Sequence, residues 1–192
     1  MELKQDSNQC VILLHEIYGI NEHILHYANV MYQKGFDVYV PDLLNRSTPF
    51  PYEAEERAYE NFITNIGFIS AQKHVIRLIN RLSKMYVHIR IIGFSIGATV
   101  GWICSRHPSV HKIIGFYGSR IRQYAQVVPK AEITLFYGEQ ERSFCPTKLK
   151  VDLSIYPNVF VKIVEGEHGF ADPYSTKYNE GITNSLLTYL VD

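Results

Sequence analysis

The chain has 192 residues, and its 19 Lys and Arg residues are balanced by 19 Asp and Glu residues, so the formal net charge at pH 7 is zero. This balance gives no electrostatic argument for a nucleic-acid-binding protein. Apolar residues make up 46% of the chain and charged residues 20%, as in ordinary globular proteins. A chain of this length can bury a core large enough to fold as one domain without disulfides or a metal.

Three cysteines stand far apart in the sequence, at Cys10, Cys104 and Cys145. An odd number at wide spacing, without a CxxC pair, argues against a disulfide framework and against a zinc site. The N-terminal stretch MELKQDSNQ is polar, and no apolar run approaches the roughly 18–20 residues that span a bilayer. We therefore expect a cytoplasmic protein with no signal peptide and no membrane partner.

Short runs rich in Val, Ile, Phe and Tyr predict six β-strands, each ending near a glycine or a charged residue. The first run, CVILLHE, begins with five apolar residues in succession, as expected of a strand buried on both faces of a sheet. The predicted strands cover residues 10–16, 36–42, 87–95, 112–118, 133–138 and 159–166.

The stretches between these strands have the spacing of amphipathic helices. The first opens on Asn21, a residue type that caps helix N-termini. Alternation of strands and helices predicts parallel strands with crossover helices, and no repeat or linker divides the chain, so we predict a single α/β domain over 1–192. The predicted helices cover 21–35, 51–85 (one long helix or two shorter ones), 98–107 and 174–191.

A serine stands between two glycines at the end of the third predicted strand. Residues 93–97 read Gly-Phe-Ser-Ile-Gly, with a buried strand before them and an apolar helix directly after them. This context is typical of a nucleophile elbow, in which a strained turn holds the serine oxygen at the carboxyl edge of a sheet. The N–H of Ile96 would then open a helix, where free amides favour an anion. The alternative is a tight connection in which Ser95 only caps the helix.

A nucleophilic Ser95 needs an acid and a base, which in α/β-hydrolases follow the serine in the order acid, then histidine. Glu141 follows the fifth predicted strand on a loop, with Glu139 as a second candidate, and His168 follows the last predicted strand. Single loop carboxylates and histidines are usually solvated. Three such residues in this order, each beyond a separate strand, favour a catalytic triad.

Six segments resemble the dienelactone hydrolase family, in that family's order and over nearly the whole chain, and HEIYGIN and HGFAD are the most specific. The resemblance implies an α/β-hydrolase fold, with about six mostly parallel strands and helices on both faces, and hydrolysis of an ester, thioester or lactone. The segments are HEIYGIN (15–21), PDL (41–43), GFSIGA (93–98), GFYGSRI (115–121), GEQE (138–141) and HGFAD (168–172).

By this resemblance, Ser95 is the nucleophile, Glu141 the acid and His168 the base of a triad that works through an acyl-enzyme. Glu16 takes the place of a glutamate that the family keeps close to its nucleophile, which implies an accessory role at the site. With a serine nucleophile, that residue would order the pocket or orient the hydroxyl or a water molecule.

The resemblance also implies an oxyanion hole. Ile17, the residue after Glu16, would supply one backbone N–H and Ile96 the other. Both would donate to the carbonyl oxygen as it becomes negative in the tetrahedral intermediate. Loss of one such donor typically costs on the order of 3–4 kcal/mol of barrier.

Three positions depart from the family pattern. Ser95 stands where the archetypal nucleophile is cysteine, and a hydroxyl depends more than a thiol on a general base such as His168. Glu141 stands where the acid is usually aspartate. Asp172 stands where an arginine would hold the substrate's carboxylate, and a carboxylate there would repel an anionic lactone. We therefore expect a neutral ester, thioester or lactone as the substrate.

Two further points concern ligands. The histidines at positions 15, 23 and 26 do not form the HExxH spacing of a zinc helix, so we predict no metal and no cofactor. The expected partner is a small-molecule ester or lactone, and not a nucleic acid. The departures from the family pattern leave a second hypothesis open, in which the same pocket holds a small molecule without turnover.

Overall fold

The strands form one sheet in the order β1-β3-β2-β4-β5-β6-β7, in a computed structural model that describes residues 1–191. The strands are β1 (Glu2–Leu3), β2 (Gln9–Leu14), β3 (Asp37–Tyr39), β4 (His88–Phe94), β5 (Val110–Phe116), β6 (Glu132–Gly138) and β7 (Val159–Val164). β1 pairs antiparallel with β3, and all the other neighbouring strands are parallel. Parallel strands need crossover connections, and helices provide most of them here.

The α-helices of the described residues are α1 (Glu22–Gln33), α2 (Glu55–Asn61), α3 (Gly67–Leu82), α4 (Ile96–Cys104), α5 (Pro146–Leu153), α6 (Glu180–Leu186) and α7 (Thr188–Val191). A π-helical turn at Phe62–Ile66 joins α2 to α3, and short 3₁₀ segments lie at Tyr52–Ala54 and Ser119–Gln123. Among residues 1–191, none of the helices combines the length and the apolar character that a membrane span requires.

The α/β class and the mostly parallel sheet are confirmed, with seven strands in place of about six. The additional strand, β1, is two residues long, too short for a hydrophobic pattern to show it. α5 was not predicted either, and the long helical stretch divides into α2 and α3. Several strands end before the predicted positions, so that Glu16, Asp42 and Gly166 lie in loops at the carboxyl edge of the sheet.

Three phenylalanines form a row across the centre of the sheet. Phe94, Phe116 and Phe136 hold neighbouring register positions at the carboxyl ends of β4, β5 and β6. Their rings stack with centroids 4.9 and 5.3 Å apart. Phe170, which is fully buried in the loop after β7, packs edge-on against Phe116 at 6.2 Å. Each buried ring contributes roughly 1.5–3 kcal/mol, so the row anchors this loop to the sheet.

The first turn of α4 lies directly against two strands, because glycine occupies the contact points. A Cβ at Gly97 would lie 2.3 Å from the carbonyl oxygen of Leu14, at the end of β2. A Cβ at Gly93 would lie 2.6 Å from the backbone of Gly97. Neither position has room for a methyl group without movement of the backbone.

We expect Gly97→Ala to lower the free energy of unfolding by about 2–3 kcal/mol, or to prevent folding, because the added methyl group overlaps the backbone of β2. Urea unfolding followed by circular dichroism measures the change. Gly181→Ala in α6 is the matched control, since its Cβ would meet only Asn179 Oδ1, at 3.8 Å. Alanine favours a helix over glycine by up to about 1 kcal/mol, so this variant should be neutral or more stable. Equal stability of the two variants would contradict the close contact.

Candidate active site

Ser95 forms the turn between β4 and α4, and its backbone has φ 51° and ψ −111°. A positive φ at a non-glycine residue costs of the order of 1–3 kcal/mol, and it persists only where the surroundings hold it. Here the Ser95 N–H donates to the carbonyl of Phe116 at 2.9 Å, and the Ser95 carbonyl accepts from the N–H of Thr99 at 3.2 Å. The strained turn expected of a nucleophile elbow is therefore present.

The side chains of Ser95, His168 and Glu141 form a continuous chain of hydrogen-bonding groups. His168 Nε2 lies 3.1 Å from Ser95 Oγ, and His168 Nδ1 lies 3.0 and 3.2 Å from the two carboxylate oxygens of Glu141. A carboxylate can only accept, so Nδ1 carries the proton and donates it to Glu141. The lone pair of Nε2 is then free to accept the hydroxyl hydrogen of Ser95.

The structure distinguishes between the two candidate acids after β6. Glu141 turns inward, its side chain is only 1% exposed, and it pairs with His168. Glu139 is exposed, and within the described part of the chain its side chain makes no hydrogen bond to His168. The ring of Tyr117 packs against the ring of His168 at 4.8 Å and supports its orientation.

Two opposing effects act on the pKa of His168. Burial disfavours the charged ring and lowers the pKa, whereas the hydrogen bond to Glu141 and the charge of that carboxylate raise it. The net result is a pKa above the ordinary value of 6.5. The site therefore stabilises an imidazolium at this position, as a proton carrier between two reaction steps requires.

Ile17 and Ile96 line a cavity of about 250 Å³ together with Ser95 and His168. Ile96 is the first residue of α4, so its N–H has no partner within the helix. Among residues 1–191, no acceptor takes the N–H of Ile17 in the loop after β2. Two unbonded amides beside Ser95 match the predicted arrangement for an oxyanion.

Glu16 belongs to a buried charged cluster beside Ser95, formed with His23 of α1 and Asp172 of the loop after β7. His23 Nδ1 lies 3.4 Å from Asp172 Oδ2 and 3.8 Å from Glu16 Oε2, and all three side chains are at least 93% buried. The hydroxyl of Tyr52 donates to Asp172 at 2.6 Å. The sequence suggests no role for His23 other than that of a possible metal ligand, and no local pattern predicts its contact with Asp172.

The cation of this cluster is the ring of His23 itself. Burial lowers the pKa of a histidine, but the two carboxylates outweigh burial and raise the pKa of His23 to about 9. Burial raises the pKa of Asp172, but its contacts with His23 and Tyr52 leave that pKa below its usual value. The ligand atoms of Glu16, His23 and Asp172 lie within 4.8 Å of one another. Neither ring nitrogen of His23 completes a well-aligned hydrogen bond among the described residues, so the two carboxylates act on the ring mainly through their charge.

The burial of Asp172 bears on the expected charge of the substrate. Its side chain is 2% exposed and is directed at His23 and Tyr52, which compensate its charge. Asp172 should therefore repel an anionic substrate less strongly than an uncompensated carboxylate at the same position would. The preference for a neutral substrate stays a prediction.

Comparison with known proteins places the chain in a family. The sequence model of the dienelactone hydrolase family matches residues 2–188. The chain belongs to the dienelactone hydrolase family. An uncharacterised protein of Bacillus subtilis (strain 168), YczH, is 33% identical over 182 residues, which cover 94% of this chain and 89% of YczH. The family resemblance inferred from six short segments is thus confirmed.

Solved structures with the same fold include other dienelactone hydrolase-like proteins. The dienelactone hydrolase-like promiscuous phosphotriesterase P91, from metagenomic libraries, superimposes with a TM-score of 0.80 at 14% identity, over 98% of this chain and 86% of P91. The Est1E protein of Butyrivibrio proteoclasticus, solved with ferulic acid bound, gives 0.69 at 10% identity, over 97% of this chain and 90% of Est1E. These likenesses show the α/β-hydrolase fold.

The His23 cluster predicts how stability depends on pH. Because the folded-state pKa of His23, about 9, is above the unfolded value of 6.5, the stabilisation is complete below pH 6.5 and is lost as the pH rises through 9. A difference of 2.5 units corresponds to on the order of 3 kcal/mol. We expect His23→Gln to remove this loss, as measured by the Tm between pH 6 and 10.

His26→Gln is the control, because His26 is exposed on the same helix. It should leave the wild-type pH profile of the Tm unchanged. A wild-type profile that runs parallel to that of His23→Gln across this range would show that His23 is not an imidazolium in the folded protein.

Proposed function

We propose that this chain is a serine hydrolase that cleaves a carboxylic ester, thioester or lactone through an acyl-enzyme, with Ser95, His168 and Glu141 as its triad. The observation that carries the proposal is the hydrogen-bond chain from Ser95 Oγ through His168 to Glu141. At its Ser95 end, this chain of groups lies on a strained turn at the start of a helix, where an alkoxide or a tetrahedral oxyanion is favoured.

In acylation, His168 Nε2 takes the hydroxyl proton as Ser95 Oγ bonds to the carbonyl carbon of the substrate. The carbonyl oxygen becomes negative and accepts the N–H groups of Ile17 and Ile96. The carbon–oxygen or carbon–sulfur bond of the leaving group then breaks, and His168 gives its proton to the departing atom. Glu141 holds the ring in the required tautomer and stabilises the imidazolium.

In deacylation, water replaces the leaving group. His168 takes a proton from the water as its oxygen bonds to the acyl carbon, and then returns the proton to Ser95 Oγ as the acid is released. Glu16 lines a second, smaller cavity of about 70 Å³ together with Ser95 and His168, and its negative charge contributes to the raised pKa of His168. Its proposed part is therefore to support the imidazolium and to order the pocket.

The pocket favours a small substrate. Its volume of about 250 Å³ is below the range of roughly 300–1,000 Å³ that is usual for ligand sites. Two of the charged groups that line it, Arg142 and Glu167, pair with each other at 3.3 Å. A short, uncharged acyl group on a small alcohol or thiol fits these features.

We expect Ser95→Ala to lower kcat for a short p-nitrophenyl ester by roughly 10³-fold or more, because the attacking oxygen is removed. A fluorophosphonate probe should label the wild type at Ser95 and should not label the variant. Cys145→Ala is the control for an exposed thiol, and it should keep both labelling and rate. Full activity of Ser95→Ala would contradict the mechanism. No labelling and no turnover of any ester by the wild type would favour a ligand-binding protein.

Glu141→Gln and Glu139→Gln form a matched pair that tests the acid. Since only the neutral ring accepts a proton, wild-type kcat/KM should fall as the pH decreases through the raised pKa of His168. Glu141→Gln should lower kcat by roughly 10²–10⁴-fold and move this limb to lower pH, because the carboxylate that raises the pKa is gone. Glu139→Gln should change neither quantity. The reverse result would assign the role to Glu139.

A further inference from the structure

The peptide between Glu16 and Ile17 is held by two donors on its carbonyl side. His15 Nδ1 lies 2.6 Å from the carbonyl oxygen of Glu16, and the N–H of Gly19 donates to the same oxygen at 3.2 Å. The opposite side of this peptide carries the N–H of Ile17, and Ile17 is one of the residues that line the cavity of Ser95. In a planar trans peptide the C=O and N–H point in opposite directions, so fixing one fixes the other.

The tautomer of His15 follows from its second contact. The backbone N–H of Leu43, in the loop after β3, lies 2.9 Å from His15 Nε2 and can only donate. Nε2 is therefore unprotonated, and the proton is on Nδ1, where it is donated to the Glu16 carbonyl. The ring is fully buried, so both of its nitrogens are committed to these two backbone groups.

We propose that His15 is a positioning residue for the oxyanion hole: it clamps the Glu16–Ile17 peptide to the loop after β3 and so aims the Ile17 N–H at the cavity of Ser95. This inference rests on the proposed acyl chemistry and adds to it. His15 touches no reacting atom. The charged groups that face its ring are Glu16 and Asp42, and Asp42 Oδ1 lies 3.9 Å from Nε2 while it also accepts the N–H of Leu44.

The test compares His15→Leu, which removes both hydrogen bonds at similar volume, with His15→Gln, whose amide offers one donor and one acceptor. We expect His15→Leu to lower kcat for a short p-nitrophenyl ester by roughly 10²-fold with KM changed by less than about 2-fold, since the loss falls on the transition state. His15→Gln should recover most of this activity. The sulfur of a thionoester accepts hydrogen bonds poorly, so a thionoester depends less than an ester on the oxyanion hole. The rate for an ester divided by the rate for its thionoester should therefore fall in His15→Leu.

Val75→Ala is the control for a merely structural effect. It removes buried volume from α3 at a residue that does not line the cavity of Ser95, and it should lower the Tm while leaving kcat and the ester-to-thionoester ratio unchanged. A His15→Leu protein with lowered Tm but with wild-type kcat and ratio would overturn the proposal. So would a His15→Gln protein as slow as His15→Leu.

Failure of the proposed function gives a different result. In that case the wild type itself shows no Ser95-dependent turnover, and the kinetic comparison does not arise. Amide hydrogen exchange then tests the clamp alone: His15→Leu should lose protection at Leu43 and Gly19, and His15→Gln should keep it. Unchanged protection in His15→Leu would overturn the clamp whatever the enzyme does.

Discussion

The contact between the first turn of α4 and the backbone that leaves β2 is the constraint on which the site depends. Only a residue without a Cβ fits at Gly97, where the carbonyl oxygens of Leu14 and His15 lie closest. This contact brings the turn at Ser95 beside the loop that carries Glu16 and Ile17. Backbone packing therefore sets how closely the nucleophile approaches the loop with Ile17, and the buried His15 side chain holds the carbonyl of Glu16 in that loop.

Two buried histidines close to the site differ in charge for clear physical reasons: the ring of His15 is neutral and the ring of His23 is a cation. His15 meets an amide donor at one nitrogen and a carbonyl acceptor at the other, which suits a neutral ring, and burial holds its pKa below the ordinary value. His23 faces two carboxylates, which hold its ring as an imidazolium. His168 lies between these extremes, with one carboxylate partner and about a third of its side chain exposed, which suits its proposed role as a group that gains and loses a proton.

The sequence was sufficient to predict the α/β class, the alternation of strands and helices, and the order of Ser95, Glu141 and His168, because each depends on local pattern. It could not predict β1, whose two residues pair with β3 through the backbone. It ranked Glu141 ahead of Glu139 as the candidate acid, but it could not show which of the two side chains the loop turns inward. The partnership of His23 with Asp172 joins α1 to the loop after β7, and no local pattern records such a contact.

The backbone conformation at Ser95 limits which side chains can occupy the turn. A φ of 51° crowds a side chain that branches at Cβ, so threonine would be strained there, whereas serine and cysteine share the same unbranched CH₂. Codons for serine and cysteine can differ by a single base. A single-base change could therefore exchange the oxygen for a sulfur at this turn without any rebuilding of the backbone.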